Sequence, residues 1–127
     1  MSAVPTDVMN LMKRFGKAFN EADVDGILDC VTEGFEWRLA TGPDAPDGKV
    51  VSGREAVRET LAERDATLGA IRFSEGEVAM AGERVLGTFR LTGSYANGMP
   101  LDVRGVDIYT LCDGLIATKD SYWKRIE

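Results

Sequence analysis

A carboxylate stands in the apolar middle of a strand-like run, LDVRGVDIYTLC, at residues 101–112. Successive side chains of a strand alternate between its two faces, so Asp107 shares the more apolar face with Tyr109. Because buried charges are normally paired, two interpretations are open. Asp107 is a structural carboxylate neutralised by Lys119, a tyrosine hydroxyl or an arginine, or it is the polar group of a pocket, where it would serve as an acid or a base.

The last strand-like run, LIATKDSYWKRI, places Lys119, Ser121 and Trp123 on one face. We expect Lys119 to lie at a rim with its ammonium in water, and the alternative is a pairing with Asp107 or with an acidic ligand. The flat rings of Tyr109 and Trp123 suit the wall of a pocket as well as a core.

The chain contains no histidine, which excludes His-based triads, the commonest general base and the usual zinc ligands. Cys30 and Cys112 lie far apart and belong to no metal-binding or redox motif. Catalysis would therefore use carboxylate, lysine, tyrosine, cysteine or serine side chains, or a cofactor. We predict neither a metal nor a cofactor.

Length and charge limit the possible classes of protein. A chain of 127 residues is predicted to form a single domain, residues 1–127. The 21 acidic residues outnumber the 15 basic ones, for a net charge of −6, and no basic cluster stands out, so no nucleic-acid partner is expected. No apolar run is long enough to span a membrane, and the first residues lack a signal-peptide pattern. We therefore predict a cytoplasmic protein without a membrane partner.

The first half of the sequence has the period of helices. Apolar residues recur at helical spacing after Thr6, the candidate N-cap: Val8, Met12, Phe15, Phe19 and Ala22. A second, shorter helix would begin at Asp23. A short strand at 35–40 and a turn-rich loop at 41–49 follow. Ser52 then opens a capping box for a third helix, which would end at Gly69.

The second half alternates with the period of strands. Four runs are separated by turn-forming residues: 71–80, 84–95, 100–112 and 115–126. Short connections make neighbouring strands antiparallel, and the glycines Gly76, Gly87 and Gly93 inside the runs suggest bulges or bends. Helices followed by strands predict an α+β fold, with a curved antiparallel sheet wrapped around an N-terminal helical layer.

Three segments carry a family resemblance: FNEADVDGILDCVTEGFEW at 19–37, VVSGREAVRETL at 50–61 and VRGVDIYTLCDGLIATKDSYWK at 103–124. On these segments the chain resembles the nuclear transport factor 2-like, or SnoaL-like, superfamily, which includes ketosteroid isomerases, epoxide hydrolases and polyketide cyclases. The resemblance implies a cone-shaped, cystatin-like α+β fold with an apolar pocket, and a homodimer. It implies no single activity, because this fold hosts many.

The resemblance also implies which functional positions are present. The oxyanion-binding Asp of the ketosteroid isomerases aligns on Asp107, whereas their Tyr aligns on Phe15 and their Asp base aligns on Leu39. A steroid isomerase is therefore not expected. The water-activating Asp of the limonene-epoxide-hydrolase-like members aligns on Ser121, so that activity is not expected either.

The predicted function is the binding of a small apolar or partly polar molecule in an apolar pocket. If the protein is an enzyme, Asp107 is the predicted catalytic residue of a cofactor-independent isomerase, hydratase, dehydratase or cyclase. The predicted substrate-binding residues are Phe15, Phe19, Trp37, Leu39, Tyr109, Lys119, Ser121 and Trp123. The alternatives are a non-catalytic ligand carrier and an adaptor domain whose sheet binds another protein.

Overall fold

A computed structural model describes residues 3–125 of the chain, apart from the side chains of residues 65–67. Its helices are α1 (Thr6–Asn20), α2 (Val24–Leu28) and α3 (Arg54–Thr67). Its strands are β1 (Val31–Arg38), β2 (Val50–Ser52), β3 (Leu68–Ala81), β4 (Arg84–Tyr95), β5 (Pro100–Cys112) and β6 (Leu115–Trp123). Helices that precede a long meander of strands confirm the predicted α+β fold.

The six strands form one curved, unclosed sheet in the order β2-β1-β6-β5-β4-β3. The predicted meander is confirmed, because β3, β4, β5 and β6 pair with their neighbours in antiparallel fashion. β1 adds to β6 as a parallel neighbour, and β2, which the sequence pattern did not reveal, pairs antiparallel with β1. The sheet is therefore mixed, and the last strand of the chain lies in its interior.

Two helix starts differ from the predicted caps. Thr6 is the first residue of α1, and Pro5 takes the N-cap position; its carbonyl accepts the Met9 N–H at 2.9 Å. Ser52 pairs with β1 as part of β2, so Gly53, with a φ of 86°, turns the chain into α3 instead. Asp23 caps α2 as predicted, since its carboxylate accepts the Gly26 N–H at 3.0 Å.

The main core lies between the helices and one face of the sheet, which we call the inner face. α1 buries the following side chains on one side: Leu11, Met12, Phe15, Ala18 and Phe19. Of the five residues that the sequence indicates at helical spacing, Met12, Phe15 and Phe19 are buried, whereas Val8 is half-buried and Ala22 is exposed beyond the end of the helix. The side chain of Asn20 then joins the end of α1 to β3, because it donates to the Phe73 carbonyl at 3.1 Å and accepts the Phe73 N–H at 2.8 Å. These two hydrogen bonds hold the end of α1, and with it Phe19, over the sheet.

Two of the three predicted bulges are present. The β3–β4 register shifts between Ser74 and Glu77, around Gly76, and again opposite Gly93, whose φ is 143°. Gly87 pairs regularly with Asp107 instead. A Cβ atom at Gly87 would lie 3.3 Å from Cε2 of Tyr109, so this glycine gives room to a neighbouring ring rather than bending the strand.

Candidate functional site

Four polar side chains form a connected, buried network on the inner face: Asp107, Tyr109, Lys119 and Ser121, each between 5% and 7% exposed. The Tyr109 hydroxyl donates to Oδ2 of Asp107 at 3.1 Å. The Lys119 ammonium lies 3.3 Å from Oδ1 of Asp107 and donates to Oγ of Ser121 at 2.9 Å. The predicted rim position of Lys119 is therefore wrong, and its alternative, a pairing with Asp107, is confirmed.

The register of the strands brings the network together. Asp107 of β5 lies opposite Ser121 of β6, and Tyr109 lies opposite Lys119. Because opposite residues of paired strands point to the same face, the four side chains converge. The parallel strand β1 adds Trp37 opposite Lys119, and its indole N–H donates to Oγ of Ser121 at 3.4 Å.

The Oδ1 atom of Asp107 is buried and accepts no hydrogen bond from the described residues. It lies 3.3 Å from the Lys119 ammonium, so the contact is an ion pair without hydrogen-bond alignment. Opposite charges at this distance attract strongly when water is excluded. The consequence is that Oδ1 retains a lone pair for a proton.

Aromatic rings enclose the ammonium of Lys119. Its Nζ atom lies 5.1 Å from the ring centroid of Phe19 and 5.0 Å from that of Trp37. Ring faces attract a cation but do not replace its lost hydration, so burial lowers the pKa of Lys119. The charge of Asp107 opposes this shift, and the guanidinium of Arg64 adds to it.

The hydroxyl of Tyr109 is held in its neutral form. Burial first, and the adjacent Asp107 carboxylate second, raise the pKa of Tyr109 well above 10. A phenol that keeps its proton is a stable hydrogen-bond donor to Oδ2. Oδ2 is therefore occupied by Tyr109, while Oδ1 faces the lysine.

A cleft of about 1020 Å³ opens beside the network, at the upper end of the roughly 300–1,000 Å³ typical of small-molecule sites. Six of the predicted site residues line it: Phe19, Trp37, Leu39, Lys119, Ser121 and Trp123. The other three, Phe15, Asp107 and Tyr109, are not part of its wall. They lie one layer further in, where the ring of Phe15 packs edge-on against Tyr109 with centroids 5.9 Å apart. Lys119 therefore stands between Asp107 and the cleft.

Sequence reasoning missed part of the apolar wall. Phe73 of β3 and Phe89 and Leu91 of β4 also line the cleft, and the two phenylalanine rings pack with centroids 5.3 Å apart. A Cβ atom at Gly105, opposite Phe89, would lie 2.5 Å from Cζ of that ring. The two-residue alternation of apolar side chains along β3 and β4 could have indicated that these residues face the cleft.

The loop between β1 and β2 forms one side of the cleft, which residues 39–49 line throughout. Its two ends are joined by backbone hydrogen bonds from Leu39 to Lys49, at 2.9 Å, and from Lys49 to Thr41, at 3.1 Å. The Lys49 ammonium also pairs with Glu63 of α3 at 3.6 Å. These contacts hold the loop beside the cleft.

The polar groups at the cleft can exchange protons. On the inner face they are an amine and a hydroxyl, backed by a carboxylate and a phenol, and the amine lies 3.3 Å from the carboxylate. Charged side chains of the loop and of α3, among them Asp44, Asp47 and Glu63, line the cleft as well. Within the part of the chain that the structure describes, no group of three or more His, Cys, Asp or Glu side chains could hold a metal ion. None of the described helices is long and apolar enough to cross a membrane.

Comparison with known proteins identifies the sequence pattern. A family model of the SnoaL-like domain matches residues 12–119. A search of curated proteins gives no match.

Solved structures share the fold. The chain is similar to an NTF2-like protein of unknown function from Burkholderia pseudomallei, with a TM-score of 0.82, 18% identity and coverage of 94% of this chain and 92% of that one. A proposed polyketide cyclase from Xanthomonas campestris has a TM-score of 0.80, 22% identity and coverage of 93% and 90%. TerC, co-crystallised with polyporic acid, has a TM-score of 0.80, 20% identity and coverage of 94% and 92%.

Proposed function

Because this chain belongs to the SnoaL-like family, whose model covers residues 12–119, we propose that it binds a small, mostly apolar molecule in the cleft and acts on it by acid–base chemistry. Lys119 and Ser121 present an amine and a hydroxyl to the bound molecule. Asp107 exchanges a proton with Lys119 through Oδ1. The reaction is an isomerisation, a hydration, a dehydration or a cyclisation.

One observation carries this proposal. Lys119 and Ser121 lie among the aromatic side chains of Phe19, Trp37 and Trp123 on the wall of the cleft, and a buried carboxylate lies directly behind the amine, at 3.3 Å. Buried polar groups that converge on an apolar cleft are typical of binding and catalytic sites. A core needs no such cluster, because apolar side chains would fill the same space at no desolvation cost.

The sequence and the relatives support parts of the proposal. Some structural neighbours are described as proposed polyketide cyclases, and cyclisation is among the reactions that a proton-exchanging pair can assist. Steroid isomerisation is not proposed, because Phe15 and Leu39 stand where the ketosteroid isomerases have a tyrosine and an aspartate.

Binding is tested with 8-anilinonaphthalene-1-sulfonate, a dye with an apolar body and one negative charge. We expect saturable binding to the folded protein, measured by dye fluorescence. Lys119→Met should weaken it by roughly ten- to a hundredfold, because a charge-assisted hydrogen bond contributes about 1.5–3 kcal/mol. Lys13→Met is the matched control, since Lys13 is exposed and lies outside the cleft.

Loss of Lys119 leaves Asp107 without its cation, so the double variant Asp107→Leu/Lys119→Met is titrated as well, and circular dichroism verifies that each variant is folded. Equal affinity in the wild type and both Lys119 variants would contradict the role of Lys119. No saturable binding to the wild type would contradict the proposed cleft.

Proton transfer is tested with 5-nitrobenzisoxazole. A base that removes its ring C–H proton breaks the N–O bond, and a coloured phenolate with a nitrile group results. We expect the wild type to accelerate this reaction above buffer, and we expect Asp107→Asn and Lys119→Met to reduce the rate by about a hundredfold, as for loss of a general base. Dye binding with no acceleration by the wild type would identify a ligand carrier, which is the alternative function.

The cytoplasmic location and the homodimer also stay predictions. The dimer is tested by light scattering during size-exclusion chromatography. A single species of twice the chain mass of 13.8 kDa is the expected result, and a monomer at all concentrations would contradict it.

A further inference from the structure

We propose that Lys119 is a nucleophilic amine, which forms a reversible Schiff base with an aldehyde or ketone bound in the cleft. This inference rests on the proposed function, since it gives the bound molecule a carbonyl group and gives Lys119 a covalent role. The cleft, the proton acceptor behind the amine and the apolar surroundings each contribute to it.

The amine has access to the cleft although it is buried. Lys119 is 6% exposed, and it lines the cleft together with Phe19, Trp37 and Ser121. Its Nζ atom lies within 5.1 Å of both ring centroids. A carbonyl compound that stacks on these rings would place its carbonyl carbon next to Nζ. The amine is thus positioned towards a ligand, and not towards bulk water.

The surroundings favour the neutral amine that nucleophilic attack requires. A desolvated lysine in an apolar site loses its proton more readily than one in water. Burial lowers the pKa of Lys119, and Arg64, which also lines the cleft, lowers it further. Asp107 opposes the shift through its charge, but the same carboxylate is the group that can accept the released proton.

Asp107 is arranged as that acceptor. Its Oδ2 atom is held by the Tyr109 hydroxyl at 3.1 Å, whereas Oδ1 accepts no hydrogen bond from the described residues and lies 3.3 Å from Nζ. Transfer of one proton from Nζ to Oδ1 converts the ion pair into a neutral amine and a neutral carboxylic acid. Neither product carries a buried charge, which offsets the cost of the transfer.

The steps balance without an oxidant or a reductant. The lone pair of neutral Nζ attacks the carbonyl carbon, a C–N bond forms, and the π electrons of the C=O bond move to the oxygen. That oxygen receives one proton from Nζ and one from Oδ1 of Asp107, and it leaves as water while the C=N bond forms. The net change is an ammonium plus a carbonyl giving an iminium plus water, with Asp107 returned to its carboxylate beside the new cation.

The iminium extends the proposed acid–base chemistry. Its positive nitrogen withdraws electrons from the neighbouring carbon, so a proton on that carbon is removed more easily than in the parent carbonyl compound. The class of substrate is therefore a carbonyl compound with a flat apolar body, which matches the aromatic wall.

The test uses 2-naphthaldehyde at neutral pH with sodium cyanoborohydride, which reduces an iminium to a stable secondary amine. The chain has four other lysines for comparison: Lys13, Lys17, Lys49 and Lys124. A modified Lys119 is no longer cleaved by trypsin, so its adduct appears on a peptide that begins at residue 105 and continues past residue 119. A modified Lys124 appears on a peptide that begins at Asp120. Mass spectrometry separates the two.

We expect Lys119 to react at least about tenfold faster than Lys124, because Lys119 has a proton acceptor at 3.3 Å and its burial favours the neutral amine that attacks the carbonyl. Lys119→Met should abolish the adduct on the peptide that begins at residue 105, and Lys13→Met should not change it. Asp107→Asn should slow the labelling by about tenfold or more, with folding verified by circular dichroism. Because this variant also removes the charge that opposes the lowered pKa of Lys119, labelling is followed from about pH 6 to about pH 10. Loss of the proton acceptor slows it throughout, whereas a larger fraction of neutral amine alone would speed it at the low end.

The outcomes separate this inference from the proposed function. Saturable binding of 8-anilinonaphthalene-1-sulfonate without preferential labelling of Lys119 would overturn the Schiff base and leave the proposed binding function intact. Absence of both dye binding and labelling would overturn both. Preferential labelling that Asp107→Asn does not slow would overturn the role of Asp107 as proton acceptor.

Discussion

The sheet carries the same local motif, Asp-x-Tyr, on its two opposite faces. Asp107 and Tyr109 of β5 lie on the inner face, and Asp120 and Tyr122 of β6 lie on the outer face. In both pairs the tyrosine hydroxyl donates to Oδ2 of the aspartate, at 3.1 Å for the inner pair and 2.9 Å for the outer pair. The spacing of two residues along a strand is thus sufficient to form the bond.

Burial distinguishes the two pairs. Tyr109 is 5% exposed and Tyr122 is 51% exposed. The inner aspartate has a buried lysine at 3.3 Å, whereas the outer one has an arginine, Arg38, at 4.0 Å in contact with water. The same chemical groups therefore interact strongly in one place and weakly in the other, because water screens the outer pair. The Asp-x-Tyr motif is therefore not sufficient for a functional site, because burial decides how strongly its groups interact. The same substitution made in both pairs tests this conclusion.

The largest difference is expected between Asp107→Asn and Asp120→Asn. Asp107→Asn leaves the Lys119 ammonium buried without its counter-charge, and we expect a loss of about 3 kcal/mol in the free energy of unfolding. Asp120→Asn should lose less than about 1 kcal/mol. Urea unfolding followed by circular dichroism measures both. Similar losses for the two variants would mean that the inner pair is no stronger than the outer one.

Removing both members of the inner pair should restore most of that loss. In Asp107→Leu/Lys119→Met no buried charge remains, so we expect a free energy of unfolding within about 1 kcal/mol of the wild type. The same urea titration gives the coupling between the two positions when both single variants are included. If the double variant lost as much as the sum of the single ones, the two side chains would be energetically independent.

The next largest difference in the free energy of unfolding is expected between the two tyrosine variants. Tyr109→Phe leaves Oδ2 of a buried aspartate without its donor, and we expect a loss of about 1–2 kcal/mol. Tyr122→Phe should change the free energy of unfolding by no more than about 0.5 kcal/mol, because water replaces the lost hydroxyl. Thermal and urea unfolding of the two phenylalanine variants check this, and a larger effect of Tyr122→Phe would reverse the comparison.

The smallest expected effect is a change of the free energy of unfolding with pH. The pKa of Tyr109 in the folded protein is well above 10.0, its ordinary value, so the unfolded chain loses this proton first as the pH rises. The contribution of Tyr109 to stability is therefore complete below about pH 10 and decreases above it. Lys119 has the opposite effect. Because its pKa is lowered in the folded protein, its contribution to stability increases as the pH rises towards the ordinary pKa of a lysine.

Comparison of the wild type with Tyr109→Phe isolates the tyrosine from the lysine. Between about pH 9 and about pH 11, the stability difference between the two proteins should shrink as the pH rises. Tyr122→Phe gives the matched comparison on the exposed face: its hydrogen bond to Asp120 raises the pKa of Tyr122 as well, but water screens the pair, so a smaller slope of the same sign is expected. A difference that is constant over this range would show that Tyr109 titrates alike in the folded and unfolded chain.

Local chemistry explains which parts of the fold could be predicted. β4 and β5 occupy the predicted residues 84–95 and 100–112, because glycines with positive φ end each strand in a turn, as at Gly82 and Gly98. The short strand β2 and the parallel pairing of β1 with β6 were not predicted. Both depend on residues far away in the chain, and no local pattern records them.

The site shows the same division. The two-residue alternation of strands correctly placed Asp107 with Tyr109, and Lys119 with Ser121, and the observed register of β5 and β6 confirms that these pairs share a face. The depth of each side chain was not predictable. How far the helices and the loop at 39–49 cover the sheet is a property of tertiary packing, and this covering buries Lys119 and separates Asp107 from the cleft.

The interior position of β6 has a consequence for synthesis of the protein. β6 supplies Lys119, Ser121 and Trp123 to the cleft, and in the described sheet it joins the pair β1–β2 to the meander β3–β5. A nascent chain therefore exposes an unpaired edge on β1 and another on β5 until residues 115–123 have left the ribosome. Such edges can pair with other chains, so the chain is most open to aggregation before residues 115–123 have paired with both neighbours.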